Sequence, residues 1–524
     1  MSSFRYRLIQ VLLILAFLAI ALRLFQFQIL EGHKYRKVAQ RANPDLVSRG
    51  EIVDRNQKVL CIDLNKYTLE YNPTETKEDR YYLAARLNEI IGFNRPELLN
   101  SNSSMILAHN LTSKQARSIR ALHSKLLYLR KIKNRFYPQG SLASHILGFV
   151  DIYGKARQGV ESSFEKELIE NSTEKFEISI DSRLQVFAEN ALAKRIEDTK
   201  ALRGTVLVMD VHTGEILAWA VEPDFDPNKY YDYPFERTKN WALVDVYQPG
   251  SIFKIITVSS ALDSGTIGPD YTFNDVGFLE VERWKIKNHD YIPGKTPAKV
   301  LSLQELFERS SNPFSAHLAL KMGPAVFYRY IRKFGFAQKT NIELEGETKG
   351  LLRNFRQWKK SDTATTGFGQ GAISVTPLQM VTAVNVIANG GFWVKPTLKK
   401  VNKQIVNEKN SNLKPVIKPE TAKLVARLLA GSVEQNIKLR YSIAGNIPGL
   451  RVAGKTGTAE KIKEGGGYSK SQTVASFLGF FPAENPQFIV LAVVDDPKAA
   501  GGWGDTVAGP LFNEVASYVK ALYL

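Results

Sequence analysis

The 524-residue chain has a single cysteine, Cys61. One thiol excludes an intrachain disulfide framework and a cysteine-based zinc site, so ordinary packing must hold the fold. Such a chain suits the cytosol, and equally an exported domain large enough to need no staples. Acidic residues are in deficit: 52 Asp and Glu face 70 Lys and Arg, a formal charge of +18. That balance suits nucleic acid, anionic lipid or an acidic polymer as partner. No nucleic-acid module accompanies it, so no nucleic acid is expected. The densest basic stretch, Lys114 to Arg135, reads as the solvated face of one or two helices. Internal repeats, low-complexity tracts, metal-ligand clusters and cofactor motifs are also missing, so neither a metal nor a cofactor is expected.

At this length, with 44% hydrophobic residues, two or three domains are expected. Arg5 and Arg7 precede an apolar run from Leu8 to Leu22 that only Gln10 breaks, and Arg23, Gln26 and Gln28 interrupt its continuation to Leu30. Ala19-Ile20-Ala21 resembles a signal-peptidase site, but it lies inside the apolar run. The stretch to Leu30 is long enough to cross a bilayer with Arg23 snorkelling. Residues 1–30 therefore read as a short tail and an uncleaved single-pass transmembrane anchor. Charge does not orient it, because Lys34, Arg36, Lys37 and Arg41 outnumber the two arginines upstream.

Residues 31–200 alternate short strand-like runs with polar helical stretches and carry no catalytic cluster. They read as a non-catalytic pedestal, and residues 201–524 as a second domain. There, Thr205 to Val211 and Glu215 to Val221 flank the turn His212-Thr213-Gly214 as a hairpin. Val474 to Phe481 and Phe488 to Val494 make another, and a helix from Pro510 to Tyr523, with Pro510 in its first turn, closes the chain. Hairpins at both ends with helices between them predict an α+β fold, an antiparallel sheet covered by helices.

Acyl transfer needs a nucleophile, a base, a proton relay and an oxyanion hole. Ser-x-x-Lys supplies the first two when it opens a helix, since positions three apart share a face. Ser251 and Lys254 fit, but so do Ser163/Lys166, Ser172/Lys175, Ser411/Lys414 and Ser517/Lys520. Context separates them: Tyr247-Gln248-Pro249-Gly250 ends a loop before Ser251, and a helix-compatible stretch follows from Ile252 to Leu262. A lysine that is partly desolvated and near another cation loses pKa and can take the serine proton. Downstream stand the one Ser-x-Asn, Ser310-Ser311-Asn312, and the one Lys-Thr-Gly, Lys455-Thr456-Gly457 followed by Thr458. In that order the three motifs match the set used by serine β-lactamases and penicillin-binding proteins.

The chain resembles the class B penicillin-binding proteins over nearly its whole length. The resemblance runs from Arg49-Gly50-Glu51-Ile52-Val53-Asp54-Arg55 through Arg135-Phe136-Tyr137-Pro138, Gly159-Val160-Glu161 and Pro249-Gly250-Ser251 to Lys455-Thr456-Gly457-Thr458. Phe368-Gly369-Gln370-Gly371 and Val375-Thr376-Pro377-Leu378-Gln379 extend it. It implies a membrane anchor, a dimerisation-type pedestal and a penicillin-binding, β-lactamase-like transpeptidase domain outside the cytoplasmic membrane. The implied substrates are peptidoglycan stem peptides ending in D-Ala-D-Ala, with β-lactams as covalent inhibitors and an FtsW-like glycan polymerase and other division proteins as partners. Ser251 would be the nucleophile and Lys254 its base. Ser310 and Asn312 would relay protons and position the substrate amide, and Lys455 would hold the electrostatics. Thr456 and Thr458 would face the substrate carboxylate, and the N–H groups of Ser251 and Thr458 would form the oxyanion hole. Ser-Ser-Asn with Lys-Thr-Gly-Thr is closer to the septal, FtsI-type enzymes than to the elongation type. Gln57, Gln248 and Pro313 depart from the family pattern.

Rivals remain at this point. An elongation-type transpeptidase, a β-lactamase or β-lactam sensor, and an inactive division scaffold share the motifs. Gly449 to Thr456 also fits a phosphate-binding loop, although that needs a strand before it and a sustained helix after it. Glycines and Pro448 crowd the region, and Leu450 and Val452 alternate with Arg451 and Ala453 as in a strand.

Overall fold

The computed structural model describes residues 47–74, 78–401, 415–462 and 467–524, together with Phe17 and Arg23. The expected anchor lies, apart from those two residues, outside the described residues. No helix among the described residues is long and apolar enough to cross a membrane.

The N-terminal sheet is built on β2 (Val59–Tyr71), which pairs antiparallel with β1 (Glu51–Val53), β3 (Met105–Leu111) and β4 (Leu127–Phe136). β5 (Lys175–Glu177) runs parallel to β1. Helices α1 (Arg80–Ile91) and α2 (Ser113–Arg120) pack Leu83, Leu87 and Ile119 against Leu69, Tyr71 and Leu111. The basic stretch is not all helix. Arg130, Lys131, Lys133 and Arg135 lie on β4, paired residue for residue with β2, because strand pairing overrides the weak helical preference of such residues. Arg135 is moreover buried, with Nε donating to Glu161 at 2.6 Å and Nη1 to Asp63 at 3.1 Å. The backbone N–H of Arg49 also donates to Asp63, at 2.7 Å. The Arg49, Arg135 and Glu161 segments are thus joined in one buried ion-pair network.

The second sheet has the order β14 (Ala453–Ile462), β15 (Tyr468–Phe481), β16 (Phe488–Asp495), β6 (Arg203–Asp210), β7 (Ile216–Glu222), every pair antiparallel. Both faces are covered. Val206, Val208, Val490 and Ala492 face α3 (Ser182–Thr199) and α9 (Gly504–Tyr523). Leu207, Met209, Ile489 and Leu491 face the layer of α4 (Lys254–Asp263), α7 (Pro377–Ala388) and α8 (Pro419–Lys438). Double burial explains why β16 reads as an unbroken apolar run; each fully buried Val or Leu contributes roughly 1.5–3 kcal/mol.

Pro510 lies inside α9, not in its first turn. The helix starts earlier because the Gly504 N–H donates to Thr458 Oγ1 at 3.0 Å, and a Cβ there would meet Ser476 O at 2.7 Å. The strand expected from Leu450 begins only at Ala453, since Ile447 and Leu450 close a turn with Gly449 at φ +67°.

Between α4 and α5 (Leu303–Arg309) lie four short strands: β8 (Phe273–Asp275) pairs with β11 (Lys299–Leu301), and β9 (Phe278–Val281) with β10 (Trp284–Lys287). β12 (Leu351–Leu352) and β13 (Ile373–Ser374) form a further ladder. Helix α6 (Asn312–Met322) starts with Ser311 as N-cap, accepting from Phe314 N at 3.1 Å. Pro313 falls in its first turn, where no backbone donor is needed. The Thr376–Gln379 segment is a capping box opening α7.

Candidate active site

Ser251 sits in a single tight helical turn, Gly250–Phe253, that runs directly into α4, whose first residue is Lys254. Three glycines pin this turn. Gly250 has φ +57°, and a Cβ on it would meet Thr458 O at 2.9 Å. A Cβ on Gly457 would meet Ile252 Cγ1 at 2.9 Å. Gly369, at φ +79°, accepts from the Gly250 N–H at 3.0 Å and lies so close that its Cβ would stand 2.8 Å from that nitrogen. The residues on either side of Ser251 are therefore stitched to the edge strand β14 and to the Phe368–Gly371 loop. Buried α4 carries hydroxyls without penalty, because Ser259 and Ser260 donate to carbonyls four residues back and Thr257 to Gly367 O at 2.8 Å.

The Lys254 ammonium is fully buried and donates to Ser310 Oγ at 3.1 Å, to Asn312 Oδ1 at 2.8 Å and to the Ser310 carbonyl. Ser310 caps α5 in the left-handed conformation, φ +54°, which turns its hydroxyl and its carbonyl onto the same cation. Asn312 is oriented in turn: its Nδ2 donates to Lys287 O at 3.1 Å, and its N–H to Asn288 Oδ1 at 3.0 Å. Burial pushes Lys254 well below the ordinary lysine range, the Lys455 charge pushes it further down, and Asp275 opposes both. Lys455, also buried, is lowered to about 8 by desolvation, with Asp505 acting against the shift. Both neighbouring lysines are thus lowered by burial, and the Lys455 charge acts on Lys254 besides.

Lys455, Thr456, Gly457 and Thr458 lie on β14, whose outer side has no partner strand among the described residues. Lys455 Nζ reaches Thr456 Oγ1 at 3.3 Å, and Thr458 Oγ1 is held by the start of α9. The structure brings Lys254, Ser310 and Asn312 into direct contact. Among the described residues it gives the Ser251 hydroxyl no hydrogen bond to Lys254; such bonds are often loose without substrate. The phosphate-loop reading fails on this geometry, because Lys455 is the third residue of a ten-residue strand and not the opening of a helix.

Sequence reasoning missed Asp275, Asn288, His289 and Trp503. Asp275 accepts from Ser311 Oγ at 2.6 Å and Asn288 Nδ2 at 2.9 Å. The rings of His289 and Trp503 lie 6.3 Å apart and link the β9–β10 hairpin to the start of α9. No local pattern marks any of them; only the return of residues 273–301 onto the Ser310 turn does.

Comparison with known proteins identifies the family. The family profile described as the penicillin-binding protein transpeptidase domain matches residues 204–517, and that of the penicillin-binding protein dimerisation domain matches 44–179. Stage V sporulation protein D of Bacillus subtilis is 32% identical, over 98% of this chain and 85% of its own. Peptidoglycan D,D-transpeptidase FtsI of Escherichia coli is 28% identical, over 89% of this chain and 82% of its own. Among solved structures, penicillin-binding protein 3 of Mycobacterium tuberculosis, complexed with aztreonam, aligns with a TM-score of 0.70 and 25% identity. That alignment covers 91% of this chain and 96% of that one.

Proposed function

The chain belongs to the penicillin-binding protein transpeptidase family, and from that premise we propose that it cross-links peptidoglycan stem peptides as a serine D,D-transpeptidase. The observation that carries the reading is the buried Lys254 side chain, held by Ser310 and Asn312, with burial first and the Lys455 charge second pushing it well below the ordinary lysine range. Neutral Lys254 takes the proton from Ser251 Oγ as that oxygen attacks the carbonyl of the penultimate D-Ala. The N–H groups of Ser251 and Thr458 receive the oxyanion. The C–N bond to the terminal D-Ala then breaks, and its amine takes the proton through Ser310. An amine from a neighbouring stem peptide attacks the resulting ester, loses a proton by the same route and restores Ser251. Lys455, at about 8, is mostly charged at neutral pH and suits the terminal carboxylate beside Thr456, Gly457 and Thr458.

The division at about residue 200 assigns anchoring and partner contacts, an FtsW-like glycan polymerase among them, to the N-terminal part and chemistry to the remainder. A single-pass anchor over residues 1–30 places the chemistry outside the cytoplasmic membrane, where its substrate is. The FtsI name of one relative favours work at the division septum. The sporulation name of another supports a second reading, the same chemistry used in making a spore wall.

Labelled penicillin should attach to the purified protein through Ser251 and leave slowly, and Ser251→Ala should take no label. Absence of label on well-folded wild-type protein refutes the transpeptidase. Rapid drug turnover without a stable adduct points to a β-lactamase. Depletion should give filaments if the work is septal, whereas a defect confined to spores decides for the second reading.

A further inference from the structure

One buried carboxylate near the site has no place in the reaction just described. Asp275, at the end of β8, is 1% exposed and forms no ion pair among the described residues. Its Oδ2 accepts from Ser311 Oγ and Asn288 Nδ2, and its Oδ1 from Gly277 N at 2.7 Å. Each bond fixes an orientation further on. Because the Ser311 proton goes to Asp275, its lone pair is free to accept from Phe314 N and start α6. Because Asn288 Nδ2 goes to Asp275, its Oδ1 is turned to the Asn312 N–H. Asn312, held there and by Lys287 O, presents Oδ1 to Lys254.

Resting on the proposed function, we propose that Asp275 is the positioning residue of the second motif, orienting Ser311 and Asn288 and through them the Ser310 and Asn312 groups that hold Lys254. An ordinary turn aspartate would need only the bond to Gly277. A buried anion also acts at a distance. The charged groups that act on Lys254 are Lys455 from β14 and Asp275 from β8, while Ser310, which ends α5, and Asn312, which opens α6, are neutral. Among the described residues Asp275 is thus the anion that acts on Lys254 against burial and Lys455.

The test is the second-order rate of acylation by labelled penicillin, measured on the full chain across pH. Asp275→Asn should lower the plateau at least about tenfold, because one amide oxygen replaces a carboxylate that accepts three hydrogen bonds. Its acid limb should also move to lower pH, since Lys254 loses its proton more easily without the anion. Ser311→Ala and Asn288→Ala keep the charge; they should lower the plateau and leave the limb in place. If Asp275→Asn does not fold, these two variants carry the test through plateau loss in protein that is still fully folded at the assay temperature, as melting shows. A plateau within twofold of wild type in the variants that fold overturns the inference, as does an unmoved limb in folded Asp275→Asn. Wild-type protein that takes no label would instead sink the reading of the site itself.

Discussion

Replacing Lys455 with methionine should make the protein more stable while abolishing acylation. Lys455 is buried on β14, and desolvation lowers it from 10.5 to about 8. In the unfolded chain it binds its proton up to the ordinary lysine value. Between about pH 8 and 10.5 the unfolded state therefore holds more protons than the folded one, and stability rises with pH across that window. Below pH 8 the folded state carries the whole penalty, about 3 kcal/mol at ~1.4 kcal/mol per pH unit. Methionine has a similar stem and no charge. At pH 7, Lys455→Met should gain up to about 3 kcal/mol, or roughly 6 °C in Tm for a domain of this size. The gain should fade as pH climbs from 8 to 10.5. Thermal unfolding at several pH values is the assay, with penicillin labelling alongside. A Tm equal to or below that of wild type at pH 7, or a gain that does not change with pH, refutes the argument that burial of this cation is costly. The trade expected here, stability against activity, is common at active sites.

Three further outcomes follow from the same structure. Gly369→Ala places a Cβ against the Gly250 backbone at a φ of +79° and should slow acylation at least about tenfold with a destabilisation of about 1–3 kcal/mol, read by labelling rate and melting; an unchanged rate shows that the turn around Ser251 is not held there. Arg135→Met leaves buried Glu161 and half-buried Asp63 without their cation and should cost about 3–5 kcal/mol in chemical denaturation. Adding Glu161→Met should recover part of that loss, and additivity of the two changes would contradict the pairing.

The candidate groups were legible in the sequence where one residue type in one order suffices. Ser251 with Lys254, Ser310 with Asn312, and Lys455 to Thr458 follow from spacing, and so do the two hairpins, whose apolar runs are interrupted by turn residues. The helical start at Pro377 is visible as a capping box, Thr376 to Gln379. Local patterns failed where a distant partner decides: the basic residues of β4 take their conformation from pairing with β2, and α9 begins at Gly504 because Thr458 receives its N–H.

The sequence by itself carried the three motifs, their order along the chain and the α+β reading with an antiparallel sheet covered by helices, because nucleophile motifs and hydrophobic periodicity are local properties. Only the tertiary structure decided that Lys254 is pushed well below the ordinary lysine range. Its burial, the approach of Lys455 across some two hundred residues of chain, and Asp275 behind the Ser310 turn are long-range facts, and the pKa of a lysine depends on what surrounds it in space.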